Sequence, residues 1–170
     1  MRTTGAVTRS SRFLCQTMVE NIDYDKAEVI VELGAGDGVI TKHILERMRP
    51  NTRLLVFEIQ ASFCEIIRKI DDDRLIIIED SAEHLHQYLK EYGFEKADAI
   101  ISAIPFVVLP KKLVKKIVVT CKDNLCPNGY FMQFHYSKML KSLYEDVFTE
   151  VEVKFVTRNI PPAFVFKCKP

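Results

Sequence analysis

The residues best equipped for chemistry lie in one short stretch, Glu32-Leu33-Gly34-Ala35-Gly36-Asp37-Gly38. It follows an apolar run and opens a segment with helical spacing. Glycines at a strand-to-helix turn let the backbone bend tightly and let a ligand approach main-chain atoms with no Cβ in the way. An ordinary turn of this kind needs one glycine. Gly34, Ala35, Gly36 and Gly38 together point to a bound, nucleotide-like molecule. Two more carboxylates occupy matching places. Glu58 ends the next apolar run, at about the 20-residue distance where an acid accepts hydrogen bonds from ribose hydroxyls. Asp80 ends the run after that, within Glu79-Asp80-Ser81-Ala82. All three acids fall at the ends of successive strands, where open α/β sheets bind their ligands.

The spacing of the turn narrows the ligand. Dinucleotide binders carry Gly-x-Gly-x-x-Gly. Here the third glycine comes one residue early, and Val39 holds the expected position. No Gly-Lys-Ser/Thr phosphate loop is present either. The acidic-x-Gly-x-Gly-x-Gly pattern instead resembles the first motif of class I S-adenosylmethionine-dependent methyltransferases. That resemblance implies S-adenosyl-L-methionine as cofactor, with Glu32 supporting its cationic methionine end along the turn Gly34, Ala35, Gly36 and Gly38. It also implies Glu58 and Ile59 at the ribose, Asp80, Ser81 and Ala82 at the adenine, and Ser102 nearby.

The fourth strand bears on what receives the methyl group. It ends in Ser102-Ala103-Ile104-Pro105-Phe106. Ribosomal RNA adenine dimethyltransferases carry Asn-Ile/Leu-Pro-Tyr/Phe at this point, where the Asn accepts a hydrogen bond from the base amine and the ring stacks on the flipped base. Ala103 has no such acceptor, which counts against base methylation. The chain is similar instead to bacterial phospholipid N-methyltransferases, through Thr4-Gly5-Ala6-Val7-Thr8-Arg9-Ser10-Ser11-Arg12, the Ser102–Phe106 segment and Arg158-Asn159-Ile160-Pro161-Pro162-Ala163. Arg9 stands where that family has proline. The resemblance implies stepwise methylation of a phosphatidylethanolamine-like amine, with Ser11, Ala103, Pro105 and Phe106 beside the acceptor. The amine must attack unprotonated, and His135 or Tyr136 is the candidate to take its proton. An RNA (adenine) N-methyltransferase-like enzyme is the alternative. Lys111, Lys112, Lys115 and Lys116 on one helix are either a solvated face or a patch for lipid head groups or RNA phosphates.

These residues need a scaffold that sets strand ends side by side. Glu28–Leu33, Arg53–Phe57, Leu75–Ile78, Ala97–Ile101 and Tyr130–Phe134 read as buried strands. Helical stripes lie between them: Ile40, Ile44, Leu45 and Met48; Phe63, Ile66, Ile67 and Ile70; Leu113, Val114, Ile117, Val118 and Cys121. Strands alternating with helices imply βαβ units and a parallel sheet covered on both faces. Ahead of them Leu14, Cys15, Met18, Val19 and Ile22 predict an extra helix capped by Ser10 or Ser11. At the other end Val151–Phe155 alternate with charged residues, then Asn159–Pro162 turn the chain into Ala163–Lys167. So short a connection makes that last pair antiparallel. The expected fold is an α/β, Rossmann-like class I methyltransferase: seven strands, mostly parallel, with a C-terminal antiparallel hairpin. One domain is expected over 1–170, with 1–26 forming an N-terminal helix or lid segment packed on it.

Composition adds limits. A chain of 170 residues can bury a substantial core. A net charge of +1 gives no global pull toward an anionic partner, so recognition would be local. No apolar run is long enough to span a bilayer, and the start lacks the pattern of a secretion signal. A cytoplasmic protein is expected, with the phospholipid methyltransferase resemblance implying peripheral contact at the inner membrane face. The five cysteines are scattered without metal-ligand spacing, so reduced thiols and no metal are expected.

Overall fold

A computed structural model describes residues 10–170. The Thr4–Arg9 part of the leading motif lies outside them. The chain runs α1 (Arg12–Val19), β1 (Val29–Leu33), α2 (Val39–Leu45), β2 (Arg53–Phe57), α3 (Ala61–Ile67), β3 (Leu75–Ile78), α4 (Leu85–Glu91), β4 (Ala97–Ser102), α5 (Lys111–Asp123), β5 (Leu125–His135), α6 (Lys141–Val147), β6 (Glu150–Val156) and β7 (Ala163–Lys169). One sheet of seven strands results, in the order β3-β2-β1-β4-β5-β7-β6. The first five are parallel, and β7 pairs antiparallel with both β5 and β6, as the short Asn159–Pro162 connection requires.

Each face of the sheet carries an apolar layer. Val29, Val31 and Leu33 of β1 join α4, α5 and α6 residues on one side; Ile30 joins α1 and α2 on the other. Every residue of β1 is buried, as expected for a central parallel strand. Its partner β4 is pinned at the start by the Asp98 carboxylate, which accepts from the backbone N–H groups of Glu28 (2.8 Å) and Val29 (3.0 Å).

Two departures from the sequence reading have local causes. Strand β5 begins at Leu125 rather than Tyr130, because the chain pairs first at Ala97↔Leu125 and resumes at Ala99↔Tyr130. The stretch between bulges out, and Gly129 lets it pass close: a Cβ there would lie 2.8 Å from the Asp98 carbonyl oxygen. Helices α4 and α6 each bury few residues, so their apolar periodicity is faint. Four of the five cysteines, Cys15, Cys64, Cys121 and Cys168, are buried.

Candidate functional site

The turn after β1 brings the conspicuous residues together. Gly34, Gly36 and Gly38 all take positive φ angles of 71°, 54° and 79°, the left-handed region that side chains resist. Gly34 has a second reason to be glycine. A Cβ on it would come within 2.9 Å of Ile104 Cγ1 and 3.2 Å of the Ile104 nitrogen, so β1 and the segment after β4 touch there. Gly36 differs: nothing lies within 4 Å of where its Cβ would be, leaving open space over the turn. Ala35 is buried beneath.

Glu32 points below this turn and is fully buried. One carboxylate oxygen accepts from Thr41 Oγ at 2.6 Å; the other has no hydrogen-bond partner among the described residues. Burial pushes its pKa up to about 7, against the lowering pull of the Thr41 bond. A half-partnered buried acid of this kind is poised to take a cationic or hydrogen-bond-donating group. Glu58 reaches across from the end of β2. Its two oxygens accept from the backbone N–H groups of Gly36 and Gln60, each at 2.9 Å, so it sets the shape of the glycine turn. The next residue, Ile59, stands 70% exposed as an apolar platform beside it.

Asp80, after β3, is the centre of a small network. It accepts from the Ser81 N–H (2.6 Å) and the Tyr88 hydroxyl (2.9 Å) and lies 3.1 Å from His84 Nδ1. The Ser81 bond is the main cause holding its carboxyl below the usual range, with His84 and Tyr88 adding to it. Ser81 then caps the turn that follows by accepting from the Glu83 N–H, and Ala82 is buried under that turn. Tyr88 and His84 are partners that sequence reading missed. Their spacing of four and eight residues from Asp80 was the available signal.

Beyond β4, Ser102 is buried and its hydroxyl lies 3.4 Å from the Ile104 nitrogen. Ala103 donates its N–H to the Leu33 carbonyl, continuing the β1 pairing to the edge of the turn. Pro105 is exposed. Phe106 is not a wall of the opening as expected; it is 1% exposed, with its ring 6.3 Å from that of His135 in the core. His135 is likewise turned inward. Its Nε2 pairs with the Tyr144 hydroxyl at 2.6 Å, the Phe166 ring packs against it, and burial lowers its pKa to about 4. That places the imidazole as a neutral structural partner of Tyr144. Its neighbour Tyr136 points the other way, 46% exposed at the rim, its ring set edge-on to Phe134.

Gln133, one turn of the pleat below His135, was missed because it looks like one polar residue in an apolar strand. Its side-chain nitrogen donates to the carbonyls of Ile104 (3.1 Å) and Phe134 (2.8 Å), which holds the segment after β4 in place. Ser11 links the first helix to the β6–β7 connection. It caps α1 by accepting from the Leu14 N–H, and its own N–H donates to Asn159 Oδ1 at 2.9 Å. Asn159 donates in turn to the Pro161 carbonyl, so the two stretches at the chain's ends that resemble one family meet in space.

Known proteins fit this geometry. The family model described as "Methyltransferase small domain" matches residues 3–160. Ornithine lipid N-methyltransferase of Singulisphaera acidiphila is 36% identical over 168 residues, covering 97% of this chain and 88% of that protein. Ribosomal RNA small subunit methyltransferase A of Mycoplasma mycoides is 32% identical over 122 residues, 70% of this chain but 43% of that protein. Among solved structures, precorrin-6y C5,15-methyltransferase of Geobacter metallireducens superposes with a TM-score of 0.73 at 15% identity, covering 92% of this chain and 87% of the other. A glycine turn with open space over it, acids at three neighbouring strand ends and a chain-long match to a methyltransferase lead to one conclusion: this chain belongs to the methyltransferase small-domain family and is an S-adenosylmethionine-dependent methyltransferase.

Proposed function

We propose that the chain methylates a primary amine on a lipid head group, phosphatidylethanolamine-like in its chemistry, one methyl at a time. The observation that carries this reading is the likeness to ornithine lipid N-methyltransferase over 97% of the chain. The hydrogen bond from Ser11 to Asn159 supports it, by joining the two motif stretches.

The residues present fit the cofactor. The unpartnered oxygen of Glu32 suits a cationic amine, and the space over Gly36 admits a ligand against bare backbone. Glu32, Gly34, Ala35, Gly36 and Gly38 would hold the methionine end. Glu58 keeps lone pairs free for ribose hydroxyls, with Ile59 beside it, and Asp80, Ser81 and Ala82 would border the adenine. Ser102 lies at the reacting end. When bound, S-adenosylmethionine supplies a methyl group on a sulfonium that leaves readily. The protein's contribution is then alignment of the amine and exclusion of water. Ala103 and Pro105 border the acceptor, and Ser11 approaches from the α1 side. Phe106 backs them from the core. Tyr136 carries the exposed hydroxyl whose oxygen can accept a hydrogen bond from the attacking amine and align it while the proton passes to solvent, a role for which buried His135 is poorly placed.

A ribosomal RNA acceptor is the second reading, favoured by the Mycoplasma relative and by Ile104-Pro105-Phe106. Ala103 argues against it, since its side chain offers no hydrogen-bond acceptor to a base amine. The test is methyl-label transfer into extracted lipid and purified ribosomal RNA, run side by side. Label in lipid is the expected result. Label in RNA alone would overturn the lipid reading.

A further inference from the structure

Large apolar side chains crowd one edge of the molecule. Val107 (52% exposed) and Val108 (74%) lie in the connection leaving β4, Met139 (74%) in that leaving β5, and Ile160 (84%) in the β6–β7 turn. Strands β4, β5 and β7 are consecutive in the sheet, and β7 starts opposite His135 at the end of β5. The three connections are therefore neighbours, gathered over the same strand ends as Ser102 and Tyr136. Their charge is also one-sided. Segments 103–116, 136–144 and 157–162 hold seven of the chain's 24 Lys and Arg and none of its 23 Asp and Glu. Lys116 and Lys141 are paired, with Glu83 and Glu145. Lys111, Lys112, Lys115, Lys138 and Arg158 have no carboxylate partner among the described residues. In a chain of net charge +1, this is a segregated basic edge.

We infer that this edge is the surface on which the enzyme sits on an anionic lipid bilayer, with Val107, Val108, Met139 and Ile160 entering the interface and the surrounding cations meeting head-group phosphates. The inference rests on the lipid reading above for the nature of the surface. Aliphatic tips ringed by Lys and Arg suit a bilayer boundary, which takes both apolar groups and cations. Nucleic acid would use the cations but gives protruding valine, methionine and isoleucine little to do, since its unpaired bases stack on aromatic rings. The placement also serves the reaction: an amine at the membrane surface reaches the strand ends without its lipid leaving the bilayer.

The test is co-sedimentation of the full chain with vesicles of phosphatidylglycerol and phosphatidylethanolamine, compared with phosphatidylcholine alone, across a salt series. A filter-retention arm uses a ribosomal RNA hairpin. Met139→Glu/Ile160→Glu is expected to lower partition into anionic vesicles by about tenfold or more, the scale set by withdrawing two large apolar side chains from an interface. Lys111→Glu/Lys112→Glu should lower it and flatten its salt dependence. S-adenosylmethionine titration and thermal melting of both variants should match the parent. Failure of the parent to bind anionic vesicles, or unchanged partition of Met139→Glu/Ile160→Glu, overturns the inference. So does loss of RNA retention in these variants with vesicle binding intact, which would give the edge to RNA. Because the readout is binding, absence of methyl label in lipid would sink the acceptor assignment and leave the docking result standing.

Discussion

Alanine at Gly34 and alanine at Gly36 should have different consequences, although the two positions are two residues apart and share a positive φ. Each substitution places a Cβ in the left-handed region, at a cost of about 1–2 kcal/mol. At Gly36 nothing more is added to the folded chain, because no atom lies within 4 Å. At Gly34 the methyl meets Ile104 Cγ1 at 2.9 Å, and the Ile104 nitrogen and Cα at 3.2 and 3.3 Å. The side chain can rotate away but the backbone cannot easily do so, since Ala103 is bonded to Leu33 and Ile104 to Gln133. Overpacking of that kind costs a further ~1–3 kcal/mol. For a chain of this length the difference is roughly 2–12 °C in melting temperature. Gly34→Ala should therefore melt lower than Gly36→Ala in differential scanning calorimetry of the cofactor-free protein. Calorimetric titration with S-adenosylmethionine should separate them again. Gly36→Ala fills the open space over the turn and should lose affinity while remaining folded. The reasoning fails if Gly34→Ala melts no lower than Gly36→Ala, or if Gly36→Ala binds the cofactor as the parent does.

Three other outcomes follow from the same geometry. Glu32 has a folded-state pKa near 7, raised above its unfolded value, so the stability linked to its proton is present below about pH 4.5 and is lost as pH rises through 7. Glu32→Gln should flatten that part of the cofactor-free stability profile, measured as urea midpoints from pH 5 to 8, and weaken cofactor binding at every pH. Tyr136→Phe should lower amine methylation about 100-fold through loss of the amine's alignment; full turnover on every amine offered would refute that role. Tyr144→Phe strips the buried His135 Nε2 of its partner and should cost about 1–3 kcal/mol in urea unfolding with cofactor affinity unchanged.

The parallel strands, their helices and the antiparallel ending were legible because burial on both faces leaves near-continuous apolar runs, while a half-exposed edge strand such as β6 alternates. The glycine turn and its acids were legible because backbone conformation and charge both restrict residue type there. Side-chain direction at the end of β5 was not. His135 and Tyr136 are adjacent polar aromatics, and only the register against β7 determines that His135 faces Phe166 and Tyr144 while Tyr136 faces outward. Phe106 posed the same difficulty: one aromatic ring suits either a ligand wall or a core. The role of Gln133 depends on contact with the segment after β4, 29 residues away, which no local pattern encodes.

The bond from Ser11 to Asn159 spans 148 residues of chain, and it is not alone. Arg158 lies over the Phe13 ring and Lys154 pairs with Glu20, so α1 is fastened on its outer side by β6 and the turn that follows it, which are made long after the helix. On a ribosome adding ~5–20 residues per second, the first helix waits on the order of ten seconds for those partners. The sheet from β1 to β5 can assemble in the meantime, but the outer fastening of α1 cannot. The outer side of α1 should therefore be secured late and all at once, and a chain truncated before β6 should exchange the amide hydrogens of α1 faster than the full chain.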